Sequence, residues 1–174
     1  MCCICVALAT SGAGSAAHAQ ENIFRAQPGA KQLGISGGFV SVNGGTKYAV
    51  TLEGGYYISD RLVALGRVGL FKRSPFNLGL LIGARYEFGP SGSTVPYIVG
   101  AAEFHHGSHE QGGSSDMIFP DPGNPNATFL QAGVGFNHFL TPRSAIFFEV
   151  VAFTQSSTGK VGSNLEIGLR AFFK

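Results

Sequence analysis

The segment from Leu78 to Phe88, LGLLIGARYEF, has different side chains at its even-numbered and odd-numbered positions. Its even-numbered residues are all apolar or aromatic, whereas its two charges, Arg85 and Glu87, both fall on odd numbers. Because successive side chains of a β-strand point to opposite faces of the sheet, the segment predicts a strand with one uncharged and one charged face. Its length also suffices to cross a bilayer at a tilt, which takes ~9 to 11 residues.

The same alternation recurs along the chain from Lys31 onward, and turn-forming residues separate the segments. In all but the first segment, the inner residues of one parity carry no charge, amide or aliphatic hydroxyl. The first segment is weaker, because Leu33, Ile35 and Phe39 alternate with glycine and serine. The sequence therefore predicts an all-β fold, an eight-stranded antiparallel up-and-down transmembrane β-barrel. The predicted strands are 32–42, 46–58, 61–72, 76–88, 94–106, 127–139, 143–155 and 163–173.

Alternation by itself does not say which face points outward, since a soluble lipocalin-like binder has apolar side chains inside and charges in water. The composition of the charged parity separates the two folds. A water-exposed surface is usually dense in charge, whereas this parity is mostly small or apolar, as Gly79, Leu81 and Gly83 show. Tyrosine and phenylalanine on the uncharged parity lie near the segment ends, as interfacial girdles require. The uncharged parity is thus predicted to face lipid.

Nine charged residues fall on the face that is predicted to line the lumen. An eight-stranded interior is just wide enough for side chains to fill, and an unpaired buried charge is destabilising, so the nine are expected to form ion pairs. The alternative is a path for protons or ions, although no continuous water channel is expected at this strand number. The nine residues are Lys47, Glu53, Arg67, Arg85, Glu87, Glu103, Glu149, Glu166 and Arg170.

The N-terminal region has the features of an export signal. Residues 1–19 combine a short apolar stretch with small residues and end in Ala17-His18-Ala19, a small-x-small cleavage pattern. We expect a signal peptide at 1–19, a periplasmic segment at 20–31 and the barrel at 32–174. All three cysteines fall in the signal peptide, so we expect neither a disulfide nor a thiolate metal site in the mature chain. We also predict no cofactor. A lipoprotein anchor is the competing interpretation, but no Leu-x-small-Cys sequence precedes the cleavage point.

The composition excludes two further classes of protein. No apolar run approaches the ~20 residues that a membrane-spanning helix requires. The net charge is only +2, and no basic cluster exceeds the pair Lys72 and Arg73, so we expect no nucleic-acid partner.

The connections between the predicted strands differ in length. At one end they are tight, as at Ser59-Asp60 and at Leu140-Thr141-Pro142, whereas at the other end one connection runs from Gly107 to about Asn126. Outer-membrane barrels keep short turns in the periplasm and long loops outside. The long connection is therefore predicted to be extracellular.

Three histidines lie in or beside this long connection. His105, His106 and His109 are weak candidates for binding Zn²⁺ or Cu²⁺. Their spacing matches no ligand motif, and a solvated loop explains them more simply. We therefore predict no metal site.

Several stretches resemble the small bacterial outer-membrane β-barrel proteins of the OmpX and OmpA-barrel type. The resemblance covers nearly all of the chain after the signal peptide. The resemblance concerns the fold and is silent on activity. For a barrel of this kind we expect an outer-membrane location, contact with the lipid bilayer and lipopolysaccharide, a monomer, and a structural or surface-interaction role through extracellular loops. The resemblance implies a further property of the last strand, namely recognition by the outer-membrane insertion machinery, with Phe173 as the insertion signal. The stretches are Tyr56 to Leu62, Val95-Pro96-Tyr97, Gly133 to Phe136, Phe139 to Arg143, and Phe173.

The C-terminal half also resembles outer-membrane lipid A deacylases, in Phe129 to Gly135 and Thr154 to Gly159. The resemblance implies a His-x-Ser pair near the outer end of strand seven. Ser156 falls on the serine position, but Thr154 occupies the histidine position. A hydroxyl that stays protonated cannot act as a general base. A degenerate lipid A hydrolase using Ser156 is therefore the alternative to a role without catalysis.

Overall fold

The chain forms a closed barrel of eight antiparallel strands in a computed structural model, which describes residues 27–42, 45–71, 77–88, 93–106, 126–156, 159 and 161–174. Each strand pairs with the next, and β1 pairs with β8. The predicted eight-stranded topology is confirmed. In these ranges, no helix is long and apolar enough to cross a membrane. The strands are β1 (Lys31–Val42), β2 (Gly45–Tyr57), β3 (Leu62–Phe71), β4 (Asn77–Glu87), β5 (Thr94–His106), β6 (Asn126–Thr141), β7 (Ser144–Gln155) and β8 (Val161–Phe173).

The predicted and observed strand bounds differ by at most one residue, except at the start of β8 and at the end of β6, where they differ by two. The sequence pattern places this end at residue 139, whereas the strand continues through Thr141 with an irregular register after Phe139. Pro142 has no N–H to donate to a neighbouring strand, so the turn is Pro142-Arg143. The hydroxyl of Thr141 stabilises the turn by accepting a hydrogen bond from the backbone N of Arg143 at 3.1 Å. At the other end of the chain, β1 begins at Lys31, one residue earlier than predicted.

The two ends of the barrel differ. The turn end holds the β2–β3, β4–β5 and β6–β7 connections, the first residue of β1 and the last residue of β8, and the loop end holds the other four connections. The β2–β3 turn is closed by a 2.8 Å hydrogen bond from Ile58 N to Leu62 O. Ser59 Oγ also accepts a hydrogen bond from Leu62 N at 3.1 Å. Residues 107–125 of the longest connection lie outside the described residues.

The two parities of each strand face opposite sides of the barrel wall. The uncharged parity points outward, and Ile82 and Val134 are 59% and 60% exposed. Leu33, Ile35 and Phe39 of β1 are exposed in the same way, so β1 follows the rule despite its weak pattern. On the other parity, the described charged side chains between the two ends of the barrel point into the lumen.

Close pairing with β8 explains why β1 carries small inward residues. A Cβ atom built on Gly38 would lie 2.4 Å from the backbone oxygen of Leu165 and 2.9 Å from Cγ of Glu166. Any larger residue would displace the inward side chain of Glu166. Glycine at this position therefore leaves room for a lumen charge on the neighbouring strand.

Candidate functional site

Near its middle the lumen holds a carboxylate that three arginines share. Glu53 accepts hydrogen bonds from Arg67 Nε at 2.7 Å and from Arg170 Nε and Nη2 at 2.7 and 3.0 Å. Arg85 Nη1 lies 3.4 Å from the same carboxylate, and Gln32 donates to it at 2.5 Å. Because Glu53 is only 4% exposed, its charge depends on these cations rather than on water.

A second carboxylate connects this group to the opposite wall. Arg67 Nη1 and Nη2 donate to the two carboxylate oxygens of Glu149 at 2.5 and 2.8 Å, which is a bidentate pair. The hydroxyl of Tyr97 donates to Glu149 at 2.9 Å, and Arg170 Nη2 lies 3.6 Å from it. The planar guanidinium of Arg67 thus links glutamates on β2 and β7 across the lumen.

Closer to the turn end, Glu87 accepts hydrogen bonds from three strands. Arg85 Nη2 lies 2.9 Å away, the hydroxyl of Tyr57 donates at 3.1 Å, and Asn137 Nδ2 donates at 3.0 Å. The amide oxygen of Asn137 in turn accepts a hydrogen bond from Arg170 Nη1 at 2.5 Å. The charges and amides therefore form one connected network.

The network also includes aromatic rings that the sequence pattern did not predict. The guanidinium carbon of Arg170 lies 3.7 Å from the centre of the Phe147 ring, within cation–π range. The ring of Tyr97 lies 5.0 Å from the guanidinium carbon of Arg85 and 5.2 Å from that of Arg170. Tyr97 fits because its register partner is Gly135, where a Cβ atom would lie 2.6 Å from the ring. A tyrosine on the lumen-facing parity, paired with a glycine on the next strand, is the signal that could have revealed the lumen position of Tyr97.

Apolar side chains close the lumen at the turn end. Tyr57, Val63 and Phe172 are fully buried there. The ring centre of Phe172 lies 5.2 Å from that of Phe139 and 6.4 Å from that of Tyr57. Ala30, just before β1, is also buried, and its oxygen accepts a hydrogen bond from Tyr57 N at 2.9 Å. This cluster seals the barrel beneath the charged network.

Toward the loop end the lumen is less tightly packed. Glu166 accepts hydrogen bonds from Ser36 Oγ at 3.0 Å and Asn164 Nδ2 at 2.6 Å, and it lies 4.0 Å from Arg67 Nη1. In the described part of the chain, Asn164 Oδ1 is the one buried side-chain nitrogen or oxygen atom without a hydrogen-bond partner. Both residues border a cavity of about 30 Å³, and a water needs ~10 to 15 Å³. Its lining also includes Leu81, Glu103, Phe129, Gln131 and Phe153.

The predicted lumen charges are not all placed alike. Glu103 lies in the loop half, where it is partly buried and accepts a hydrogen bond from Gln131 Nε2. Lys47 belongs to β2, but its side chain lies outside the described residues. The other seven are buried and belong to the network described above, three arginines against four glutamates: Glu53, Arg67, Arg85, Glu87, Glu149, Glu166 and Arg170.

The alternative catalytic residue lies at the loop end. Ser156 follows β7, is exposed, and donates a backbone hydrogen bond to Thr128 O at 3.0 Å. Thr154, at the position where the deacylases carry a histidine, is half-buried. Within the described ranges, no hydrogen bond joins the Ser156 hydroxyl to a histidine or a carboxylate. The described geometry thus offers no base for Ser156.

The remaining sequence candidates are the three histidines and Phe173. The side chains of His105 and His106 and all of His109 fall outside the described residues. Within those residues, no three metal-ligating side chains come together. Phe173 ends β8 on the outer face and is 46% exposed.

The chain matches no protein-family model and no curated protein in sequence, but its fold matches solved structures. The N-terminal β-barrel domain of Pseudomonas aeruginosa OprF is 15% identical with a TM-score of 0.62, covering 83% of this chain and 98% of that one. Neisserial surface protein A is 16% identical with a TM-score of 0.61, covering 83% and 96%. The outer membrane protein OprG from Pseudomonas aeruginosa is 14% identical with a TM-score of 0.56, covering 86% and 99%. The chain therefore has the fold of the small outer-membrane β-barrels, as its sequence predicts.

Proposed function

We propose that this chain is an integral protein of the bacterial outer membrane and acts through its structure or its surface loops rather than by catalysis or conduction. The separation of charge across the barrel wall carries the proposal. Between the two ends of the barrel, every described charged side chain lies in the lumen, and the outer face is apolar. Such an outer face suits lipid, because it leaves no charge to be solvated.

Aromatic pairs on the outer face support this arrangement. The rings of Phe39 and Tyr48 lie 5.0 Å apart near the loop end, and those of Tyr86 and Phe88 lie 5.1 Å apart near the turn end. Aromatic girdles at both edges of an apolar band are typical of barrels in a bilayer. The lipid around the loop end would then be lipopolysaccharide, and a monomer suffices because the closed sheet has no free edge.

Because side chains fill the lumen, we infer that the protein acts through its surface. A network of buried charges and an apolar seal occupy the path between the two ends, so we infer no open pore. The connection from 107 to 125 has more residues than any other connection, and therefore the most side chains to offer a partner. The short turns at the opposite end offer much less.

Arginine substitutions at two positions along the barrel axis test whether the outer face contacts lipid. Ile82 lies at the middle of β4, whereas Ile58 lies at the turn end and is similarly exposed. In phospholipid vesicles, we expect Ile82→Arg to reduce the free energy of unfolding by ~2 to 4 kcal/mol and Ile58→Arg by ~0 to 1 kcal/mol. Urea titration followed by gels of unboiled samples measures both. Small, equal effects, together with solubility without detergent, would overturn the proposal.

Catalysis is tested separately by incubating the protein with lipopolysaccharide and weighing lipid A by mass spectrometry. We expect an unchanged mass, because Ser156 has no base among the described residues. Loss of an acyl chain that Ser156→Ala abolishes would instead establish the hydrolase.

A further inference from the structure

The charged side chains outside the lumen are gathered at one end of the barrel. Within the described ranges they are four cations, Lys31, Arg61, Arg143 and Lys174, and one acid, Asp60. All five are exposed, and all lie at the turn end. This rim therefore has a clear excess of positive charge.

The four cations lie on adjacent elements. Lys31 begins β1 and pairs in register with Phe173, so it lies beside Lys174. The β6–β7 turn, which holds Arg143, is hydrogen-bonded to the end of β8. The β2–β3 turn, which holds Arg61, follows the strand that pairs with β1. We call these four residues the basic arc. The remaining connection at this end, FGPSGS at 88–93, contains no charge.

The basic arc borders the apolar outer face directly. Each cation lies within three residues of an exposed apolar side chain, so the charges begin where the apolar band ends. Lysine and arginine at such a boundary can lay their aliphatic stems along apolar surface and extend their charged heads into the headgroup layer. The neighbouring apolar residues are Leu33, Ile58, Leu140 and Phe173.

We propose that the basic arc binds the phosphate groups of anionic phospholipids in the leaflet that borders the turn end. The inference rests on the proposed function, because it requires the barrel to span a bilayer. Arginine matches phosphate oxygens with a planar fork, and lysine offers a compact point charge. A zwitterionic lipid brings its own cation to the rim, whereas an anionic lipid meets, among the described residues, four cations and one acid, Asp60. The arc therefore selects for net negative headgroups.

Native mass spectrometry of the full chain tests this selectivity. The protein is folded into vesicles of equal parts phosphatidylcholine and phosphatidylglycerol, released in mild detergent, and weighed with its retained lipids. We expect phosphatidylglycerol to be retained in excess. Two double variants each remove two cations of the arc: one combines Lys31→Gln with Lys174→Gln, and the other combines Arg61→Gln with Arg143→Gln. In each variant we expect the excess of phosphatidylglycerol to fall by about fivefold per cation removed. The matched control, Lys72→Gln with Lys160→Gln, removes two cations from loop-end connections and should leave the lipid ratio unchanged.

The possible outcomes distinguish a failure of the basic arc from a failure of the proposed membrane barrel. Gels of unboiled samples report insertion into phosphatidylcholine vesicles and into the mixed vesicles independently of lipid selectivity. Insertion into both with equal retention of the two lipids, or an equal loss of selectivity in the loop-end control, would overturn the basic arc alone. Failure to insert into either kind of vesicle would overturn the membrane barrel as well.

Discussion

The turn half and the loop half of the lumen are formed by the same eight strands but are packed differently. In the turn half, the charged groups of Arg85 and Glu87 bond to each other and to neutral partners, and an apolar cluster lies beneath them. In the loop half, Glu166 is held mainly by neutral groups, and Asn164 Oδ1 borders a cavity without a partner. Glu53 lies between the halves.

This difference indicates where the barrel gains its rigidity. A buried polar network with every donor and acceptor satisfied fixes one arrangement, whereas an incomplete one leaves room for water and alternative contacts. We therefore expect substitutions in the turn half and at Glu53 to reduce stability strongly. Comparable changes in the loop half should be tolerated, which suits the end that carries the longest connection, 107–125.

The largest effect is expected for Glu53→Gln. The substitution keeps the shape of the side chain but removes the charge that Arg67, Arg85 and Arg170 share. Leaving buried cations without their counter-charge typically reduces the free energy of unfolding by ~3 to 5 kcal/mol. The urea midpoint of the barrel in phospholipid vesicles measures this loss. A midpoint within error of the wild type would show that Glu53 is not the centre of the network.

The next largest loss of stability is expected for one of two buried phenylalanines, Phe172 in the turn half, and Phe153 in the loop half serves as its comparison. Phe172 packs against Tyr57 and Phe139 in the seal, so Phe172→Ala is expected to reduce stability by ~3 to 5 kcal/mol. Phe153 packs against Phe129 but already borders the cavity, so Phe153→Ala should have a smaller effect. Urea titration of both variants decides the order. Equal losses would contradict the difference in packing between the two halves.

A smaller effect is expected where a methyl group is added beside Tyr97. A Cβ on Gly135 would lie 2.4 Å from the backbone oxygen of Phe148 and 2.6 Å from the tyrosine ring, so Gly135→Ala forces both the ring and the neighbouring strand to move and should reduce stability by ~1 to 3 kcal/mol. Gly100 is the matched control, because a Cβ there meets nothing within 4 Å. Gly100→Ala should leave the urea midpoint unchanged or slightly raised. The same loss in both variants would point to strand propensity instead of crowding in the lumen.

The fold could be predicted from the sequence because its signals are local. Period-two alternation records which side of the wall each residue faces, and residues such as Pro142 mark where strands must turn. The alternation also placed Glu53, Arg67 and Arg170 on the lumen side. A two-residue error in a strand end, as at β6, does not alter this parity.

The partners of each lumen charge could not be predicted in the same way. Arg67 forms its bidentate pair with Glu149, 82 residues away, and this pairing depends on the stagger of the strands around the barrel. Parity alone gives no such stagger. The lumen position of Tyr97 depends on Gly135 being its register partner on β6, which is also a non-local fact. Sequence therefore predicted which groups line the lumen but not which groups meet.

The smallest effect is expected for Glu166→Gln. Among the described residues, four buried glutamates face three buried arginines, and Glu166 is the glutamate farthest from its cation, at 4.0 Å from Arg67. Neutralising Glu166 makes the buried glutamates and the buried arginines equal in number, and the new amide can donate a hydrogen bond to Asn164 Oδ1. The urea midpoint should therefore change by no more than the equivalent of one hydrogen bond, ~1 kcal/mol in either direction. A loss as large as that of Glu53→Gln would mean that the loop half is as tightly specified as the turn half.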